Sequence, residues 1–314
     1  MRSSTSTDAP PRRFVVPALA SALVLVLAAG GCASLGPIGQ SQDVVVVTET
    51  VATVPGAPTQ GGVDIPPPDP QALPESEPPR APETSAVDLD AVVAASPLTA
   101  GIAVGPVGGG EISSAGAWQT GVAWSTIKVP LAIAVARVSP QTLEANATAI
   151  TVSDNPAADN LWAALGGGTT SSSSISTVLG EGGDTTSQVP STHTRPGYSI
   201  YGQTRWSLAD QTRFATALPC LAGAARVVDL MGQIAPAQSW GLGRIPGARF
   251  KGGWGPGENG GYLVRQVGLM SGVGGDVAVS LAVQAPTFEA GTDALSMMAD
   301  ALAPQLASIQ GGAC

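Results

Sequence analysis

Between Pro55 and Pro82 the chain is crowded with proline, including the run Pro66-Pro67-Pro68, and its only bulky apolar residues are Val63, Ile65 and Leu73. Such a stretch cannot bury enough surface to offset the entropy lost on ordering, so it predicts an extended tether. The valine run before it, Val44 to Val47, has no flanking partner with which to build a sheet. The tether divides the 314 residues into three parts: a leader over 1–31, the tether over 32–86, and one globular domain over 87–314. The last part has the length of a single domain.

In the leader, Arg12 and Arg13 precede an apolar stretch from Phe14 to Ala29, followed by Gly30-Gly31-Cys32. The stretch is short and rich in small residues, which favours an export signal over a membrane-spanning helix. Small residues directly before a cysteine resemble a bacterial lipobox, in which Cys32 is lipidated and becomes the new N-terminus; Ala29 departs from it, standing where leucine is usual. The expectation is an exported domain, lipid-anchored to the outer face of the cell membrane, with a secreted form as the alternative. Assigning Cys32 to lipid leaves Cys220 and Cys314, an even pair in an oxidising compartment and a predicted disulfide.

A net charge of −9 argues against nucleic-acid binding and against a polybasic membrane patch. His193 is the only histidine, which excludes a multi-histidine metal site and argues against a Ser-His-Asp triad. Its polar loop, Pro190 to Pro196, marks it as a surface residue. No metal or cofactor is expected.

Within the domain, Leu98 to Val104 alternates and is followed by glycine-rich turns and Glu111 to Trp118, the pattern of a β-hairpin. Helical spacing covers Thr126 to Arg137, Asn155 to Leu165 and Leu208 to Leu218, the last behind Ser207 as N-cap. Two further alternating runs, Leu263 to Leu269 and Asp276 to Gln284, precede an amphipathic helix over Glu289 to Ile309. That helix carries Leu295, Met298, Leu302 and Leu306 on one face and is expected to bend at Pro304. The predicted class is α/β (α+β): an antiparallel sheet with strands from both chain ends, helices on both faces, and a reduced helical subdomain.

Only two lysines occur, Lys128 and Lys251; every other strong base is arginine. A lysine can lose its proton when buried, whereas arginine stays charged. Lys128 closes Ser125-Thr126-Ile127-Lys128, and a spacing of three on a helix lets the amine reach back to the serine hydroxyl. The apolar residues around it, Val129, Leu131 and Ile133, favour the neutral amine, a working base beside a nucleophile. Ser153-Asp154-Asn155 stands before the second helix, where it serves either as an ordinary N-cap or as a pocket wall. Lys251-Gly252-Gly253-Trp254 follows strand residues, and its glycines permit close approach of a substrate or a backbone.

These three elements, in this order, resemble the Ser-x-x-Lys, Ser-Asp-Asn and Lys-Thr-Gly set of the class A β-lactamases and penicillin-binding proteins. The stretches Trp124-Ser-Thr-Ile-Lys-Val-Pro-Leu and Ser153-Asp-Asn-Pro-Ala-Ala-Asp-Asn-Leu161 carry the likeness most closely. The resemblance spans roughly Val87 to Ser308. It implies Ser125 as the acylated nucleophile, Lys128 as its base, and Ser153 as the relay to the leaving nitrogen. Asn155 would bind the substrate amide, and Lys251 the substrate carboxylate. The backbone N–H groups of Ser125 and Trp254 would form the oxyanion hole, with Gly252 and Gly253 lining the approach. The implied partner is a β-lactam or a peptidoglycan stem peptide, and the implied state a monomer. Trp254 and Tyr201 are the aromatics expected near the pocket.

The chain departs from the family's pattern in three ways. Gly252 replaces the hydroxyl residue of the third motif. Ser125 and Ser153 lie 28 positions apart, about half the family's spacing, which implies a more open pocket. The loop from Gly182 to Trp206 lacks the Glu-x-x-Leu-Asn pattern that supplies the deacylating base, and Glu181 nearby does not match its context. An acyl-enzyme is therefore expected to hydrolyse slowly. The alternative is a catalytically degenerate lipoprotein of the same fold that binds peptidoglycan or a protein partner.

Overall fold

The structure, a computed structural model, describes residues 87–258 and 260–314; the leader, Cys32 and the tether lie outside the described residues. The domain opens with a short helix α1 (Leu89–Ala94), then strands β1 (Thr99–Pro106), β2 (Ser113–Gly116) and β3 (Thr120–Val122). A helical segment follows: α2 (Lys128–Val138), α3 (Pro140–Ala145), α4 (Thr148–Thr151), α5 (Asn155–Ala164) and α6 (Gly168–Glu181). After a long loop come β4 (Arg205–Ser207), α7 (Leu208–Ala217) and α8 (Ala225–Met231). The chain closes with β5 (Arg249–Pro256), β6 (Tyr262–Gly272), β7 (Gly275–Ala285) and α9 (Phe288–Leu302).

The main sheet is antiparallel, ordered β2-β1-β7-β6-β5, so strands from both ends of the domain pair side by side. The register is continuous, with Ile102 opposite Leu281 and Lys251 opposite Val267. On one face, α1 and α9 cover Ile102, Val264, Val279 and Leu281. On the other, the turn before α2, the helical segment and α7 pack Ile127, Leu131, Leu161, Ile175 and Phe214 against Val267, Leu269 and Ala278. The expected α/β architecture, with helices on both faces, is what the chain adopts. A separate two-stranded ribbon, β3-β4, sits beside the turn that carries Ser125.

Local signals explain most boundaries. Ser207 Oγ accepts from Asp210 N at 3.0 Å and starts α7, and Asp154 Oδ1 accepts from Ala157 N at 2.6 Å and starts α5. The expected bend at Pro304 does not occur within one helix: α9 ends at Leu302, and Ala303–Ser308 forms a 3-10 turn. Proline lacks the N–H that would have continued the helix. Leu295, Met298, Leu302 and Leu306 nonetheless share the buried face.

The helix α6 has no counterpart among the sequence expectations, because its start, Gly168-Thr-Thr-Ser-Ser-Ser-Ser, has weak helix propensity. Burial supplies what propensity lacks. Ser171, Ile175, Val178 and Leu179 recur at helical spacing and are buried, and Ser171 Oγ donates to Trp162 O at 2.6 Å. Cys220 and Cys314 are joined by a disulfide that ties the C-terminal tail to the end of α7.

Candidate active site

The residue before Ser125 shows how the site is built. Trp124 has φ +50°, and Ser153 has φ +57°. Both are unusual for residues with a Cβ and cost roughly 1–3 kcal/mol each, so the surrounding packing must hold them there. Ser125 lies in the 3-10 turn Trp124–Ile127 and is half-buried; the turn runs directly into α2 at Lys128.

Behind this turn runs a chain of buried polar groups. Thr126 Oγ1 donates to Ala123 O at 2.6 Å and accepts from Gln211 Nε2 at 2.9 Å. Gln211 Oε1 in turn accepts from Arg265 Nη2 at 2.8 Å. Arg265 is fully buried on β6, and its Nη1 donates to the carbonyls of Gly121, Val122 and Trp206. Burial lowers its guanidinium to about 9. The side chain thus links β6, the β3-β4 ribbon and the Ser125 turn, a role that sequence inspection missed.

Alternation along β5 places the third motif. Gly253 faces the Ser125 turn so closely that an added Cβ would lie 2.9 Å from Ser125 N and 2.8 Å from Ala123 O. Only glycine allows that approach. Gly252 and Trp254 point to the opposite face. A Cβ at Gly252 would meet the Trp240 ring at 3.0 Å, so the indole occupies the space of the missing hydroxyl residue. The Trp254 ring packs against Trp240 and Phe288, with centroids at 5.9 and 5.3 Å. The expectation that the Trp254 ring stands near the pocket is therefore corrected, because strand parity turns it away. Its backbone remains beside Gly253.

Both lysines are buried and meet at Ser153. Lys251 Nζ donates to Ser153 Oγ at 2.9 Å and to Gly252 O at 2.8 Å. Lys128 Nζ donates to Ser153 O at 2.7 Å, Asp154 O at 3.2 Å and Asn155 Oδ1 at 2.8 Å. Among the described residues it makes no hydrogen bond to Ser125 Oγ, so the expected reach from Lys128 back to that hydroxyl is not made. Desolvation lowers the Lys128 ammonium to about 8, against the opposing pull of Asp154 and Asp159. Desolvation, then the charge of Lys128, pushes Lys251 well below the usual lysine range.

Beyond Asn155 a cavity of about 420 Å³ opens, lined by Asn155, Asp159, Trp162, His193, Tyr198 and Tyr201 among others. Tyr201 stands where an aromatic was expected, with its hydroxyl donating to Asp159 Oδ1 at 2.8 Å. His193 is exposed on the loop as expected, yet it also lines this cavity. Asp159 was not singled out in the sequence; its place one helical turn after Asn155 was the available signal. Among the described residues there is no cluster of His, Cys, Asp or Glu suited to a metal ion.

No family model and no curated protein matches the chain. Solved structures do. A β-lactamase from Sphaerobacter thermophilus is similar with a TM-score of 0.54 at 18% identity, over 72% of this chain and 100% of that one. A β-lactamase from Chitinophaga pinensis gives 0.52 at 15%, over 68% and 94%. An ancestral class A β-lactamase gives 0.51 at 19%, over 68% and 96%. At these identities the likeness concerns architecture: the domain has the class A β-lactamase-like fold.

Proposed function

We propose that the chain is a cell-envelope serine hydrolase that forms an acyl-enzyme on Ser125 from a β-lactam or a D-alanyl peptide amide. The observation that carries this reading is the meeting of Lys128 and Lys251 at Ser153, beside a strand held against the Ser125 turn by a bare glycine. In the proposed step, Lys128 turns from Asn155 toward Ser125 and takes its proton as Oγ attacks the carbonyl carbon. The backbone N–H groups of Ser125 and Trp254 receive the developing oxyanion. Ser153, hydrogen-bonded to Lys251, delivers its hydroxyl proton to the leaving nitrogen as the C–N bond breaks and is reprotonated by the proton Lys128 took from Ser125. Lys251 pairs with the substrate carboxylate, whose charge offsets the burial that otherwise disfavours the ammonium, and Asn155 binds the side-chain amide. Water then cleaves the ester, slowly for want of the deacylating glutamate. The export signal, Cys32 lipid and tether would hold this domain outside the membrane.

A second reading is favoured by one observation: Lys128 is engaged with Ser153, Asp154 and Asn155 rather than with Ser125. A degenerate protein that only binds wall peptide or a protein partner would tolerate that arrangement. Incubating the full chain with a fluorescent penicillin and weighing the adduct separates the two. A long-lived adduct on Ser125 is expected. No adduct at millimolar drug, with the fold intact, would establish the binding protein instead.

A further inference from the structure

Apart from Asn155, the residues of the cavity take no part in the steps above, yet the cavity has a definite chemistry. Its one carboxylate is Asp159, exposed and without a basic partner within ion-pair distance among the described residues. Tyr201 occupies Asp159 Oδ1, and no described donor occupies Oδ2. The aromatic walls include Trp162 and Tyr201, with ring centroids 5.6 Å apart. Tyr198 completes them, although Arg195 already stacks 4.6 Å from its ring.

We propose that this cavity receives an ammonium-bearing side chain on the acyl portion of the substrate, with Asp159 as counter-charge and Trp162 and Tyr201 as aromatic walls. The proposal rests on the acyl-serine reading for the substrate's orientation, because Asn155 is both a cavity wall and the expected amide-binding residue. An ammonium group is attracted both to a carboxylate and to aromatic faces, and to the latter more strongly when desolvated. A volume of about 420 Å³ accommodates a side chain of several carbons.

Three further observations agree. His193 Nδ1 lies 2.9 Å from Tyr198 O. A carbonyl only accepts, so Nδ1 carries the hydrogen, and the ring's other nitrogen is not needed for that bond on a residue that lines the cavity. Of the two nearby cations, Arg195 stacks on Tyr198 and is not part of the cavity lining, and Lys128 is buried behind Asn155 and already donates to three acceptors. Two carboxylates, Asp154 and Asp159, pull on the Lys128 ammonium from that side. The Tyr201 hydroxyl is pushed upward by burial first and then by Asp159 and Asp154, as in a region of negative potential.

The test uses three penicillins that differ only at the α-carbon of the phenylacetyl group: amino (ampicillin), unsubstituted (benzylpenicillin) and carboxyl (carbenicillin). Second-order acylation rates of the full chain at low ionic strength are expected to fall in that order, with an amino-to-carboxyl ratio of about tenfold or more. In Asp159→Asn, which keeps an acceptor for Tyr201, the ratio is expected to fall below about threefold. The same ratio in both proteins overturns the proposal. If the unmodified chain is not acylated, the proposal is read in Ser125→Ala by titrating Nα-acetyl-lysine methylamide and its norleucine counterpart against the Trp162 indole NMR signal. Tighter binding of the lysine compound, by about fivefold, is expected. Equal binding, or none by either, overturns the cavity assignment; a retained preference without acylation overturns the acyl-serine reading alone.

Discussion

Lys251 Nζ donates a 2.9 Å hydrogen bond to Ser153 Oγ, although 98 positions separate the two residues. Strand β5 and the entrance of α5 are thereby joined through the side chains assigned to proton relay and carboxylate capture. Replacing Lys251 with Met removes the donor to Ser153 Oγ and the amine that, once a substrate carboxylate stands beside it to favour the proton, supplies the opposite charge. Acylation by benzylpenicillin is expected to slow by about a hundredfold, the worth of a charge-assisted hydrogen bond in a dry site. Its methyl ester should lose much less, since it brings no carboxylate. Equal losses for acid and ester, measured by adduct mass against time, would remove Lys251 from carboxylate recognition.

The lowered pKa of Lys128 sets a pH dependence. In the proposed step its neutral form is the base, and that form becomes the majority only above about pH 8. The acylation rate should therefore rise about tenfold per pH unit below that point and level off above it. The sign follows from burial, which favours the uncharged amine; a rate that falls as pH rises through 8 would contradict a base role. Stopped-flow labelling between pH 5.5 and 9.5 measures it.

The alternating runs at both ends of the domain and the spacing from Ser125 to Lys128 were legible because they are local patterns. Ser153 and Lys251 were legible as motifs, but the meeting of Lys128 with Asn155 Oδ1 was not, since it depends on how α2 and α5 pack. The helix α6 was hidden by its serines, whose helical state is imposed by burial of Ile175, Val178 and Leu179. Gly252 illustrates a different limit. In the sequence it is a missing hydroxyl, whereas in the fold it is the space filled by Trp240, which lies 12 positions earlier. Asp159, Tyr201 and His193 share a cavity only because the loop after α6 folds back over α5.

Gln211 offers a test of the buried connection behind the Ser125 turn. Gln211→Leu leaves Thr126 Oγ1 without its donor and Arg265 Nη2 without its acceptor, both in the interior. A loss of about 2–3 kcal/mol in stability is expected from two lost bonds, one of which leaves a buried guanidinium N–H unpaired while Thr126 Oγ1 keeps its bond to Ala123 O. Acylation should also slow under conditions where the variant is fully folded, because the Ser125 turn loses its fixed partner. Urea unfolding and labelling at low urea, taken together, distinguish this from a purely structural role; a folded variant with an unchanged acylation rate would confine the network to stability.

The disulfide gives a prediction about the tail. Cys220 and Cys314 are 94 positions apart, a long loop for the unfolded chain to close. Chain-entropy reasoning puts the stabilisation at up to about 4–5 kcal/mol, with measured values commonly lower. The tail is also held by backbone bonds: Asp276 N donates to Gly312 O at 2.8 Å, and Gly311 N to Val273 O at 2.8 Å. Cys314→Ser is therefore expected to lower the urea midpoint without releasing the tail under native conditions.

Gly253→Ala tests the closest contact in the site. The new methyl would fall within 3 Å of Ala123 O, Ser125 N and Thr126 N, all backbone atoms that no side-chain rotation can clear. Either β5 moves away from the turn or the turn moves away from β5. Each outcome widens the gap between Ser125 N and Trp254 N, the two donors assigned to the oxyanion. A destabilisation of about 1–3 kcal/mol is expected from the overpacking. Loss of one oxyanion donor's alignment should slow acylation by about a hundredfold or more. Gly252→Ala is the control on the same strand, since its methyl meets the Trp240 ring on the opposite face, where a shift of a few tenths of an ångström relieves it. If the two variants lose acylation equally while both remain folded, the approach of Gly253 to Ser125 is not what positions the oxyanion donors.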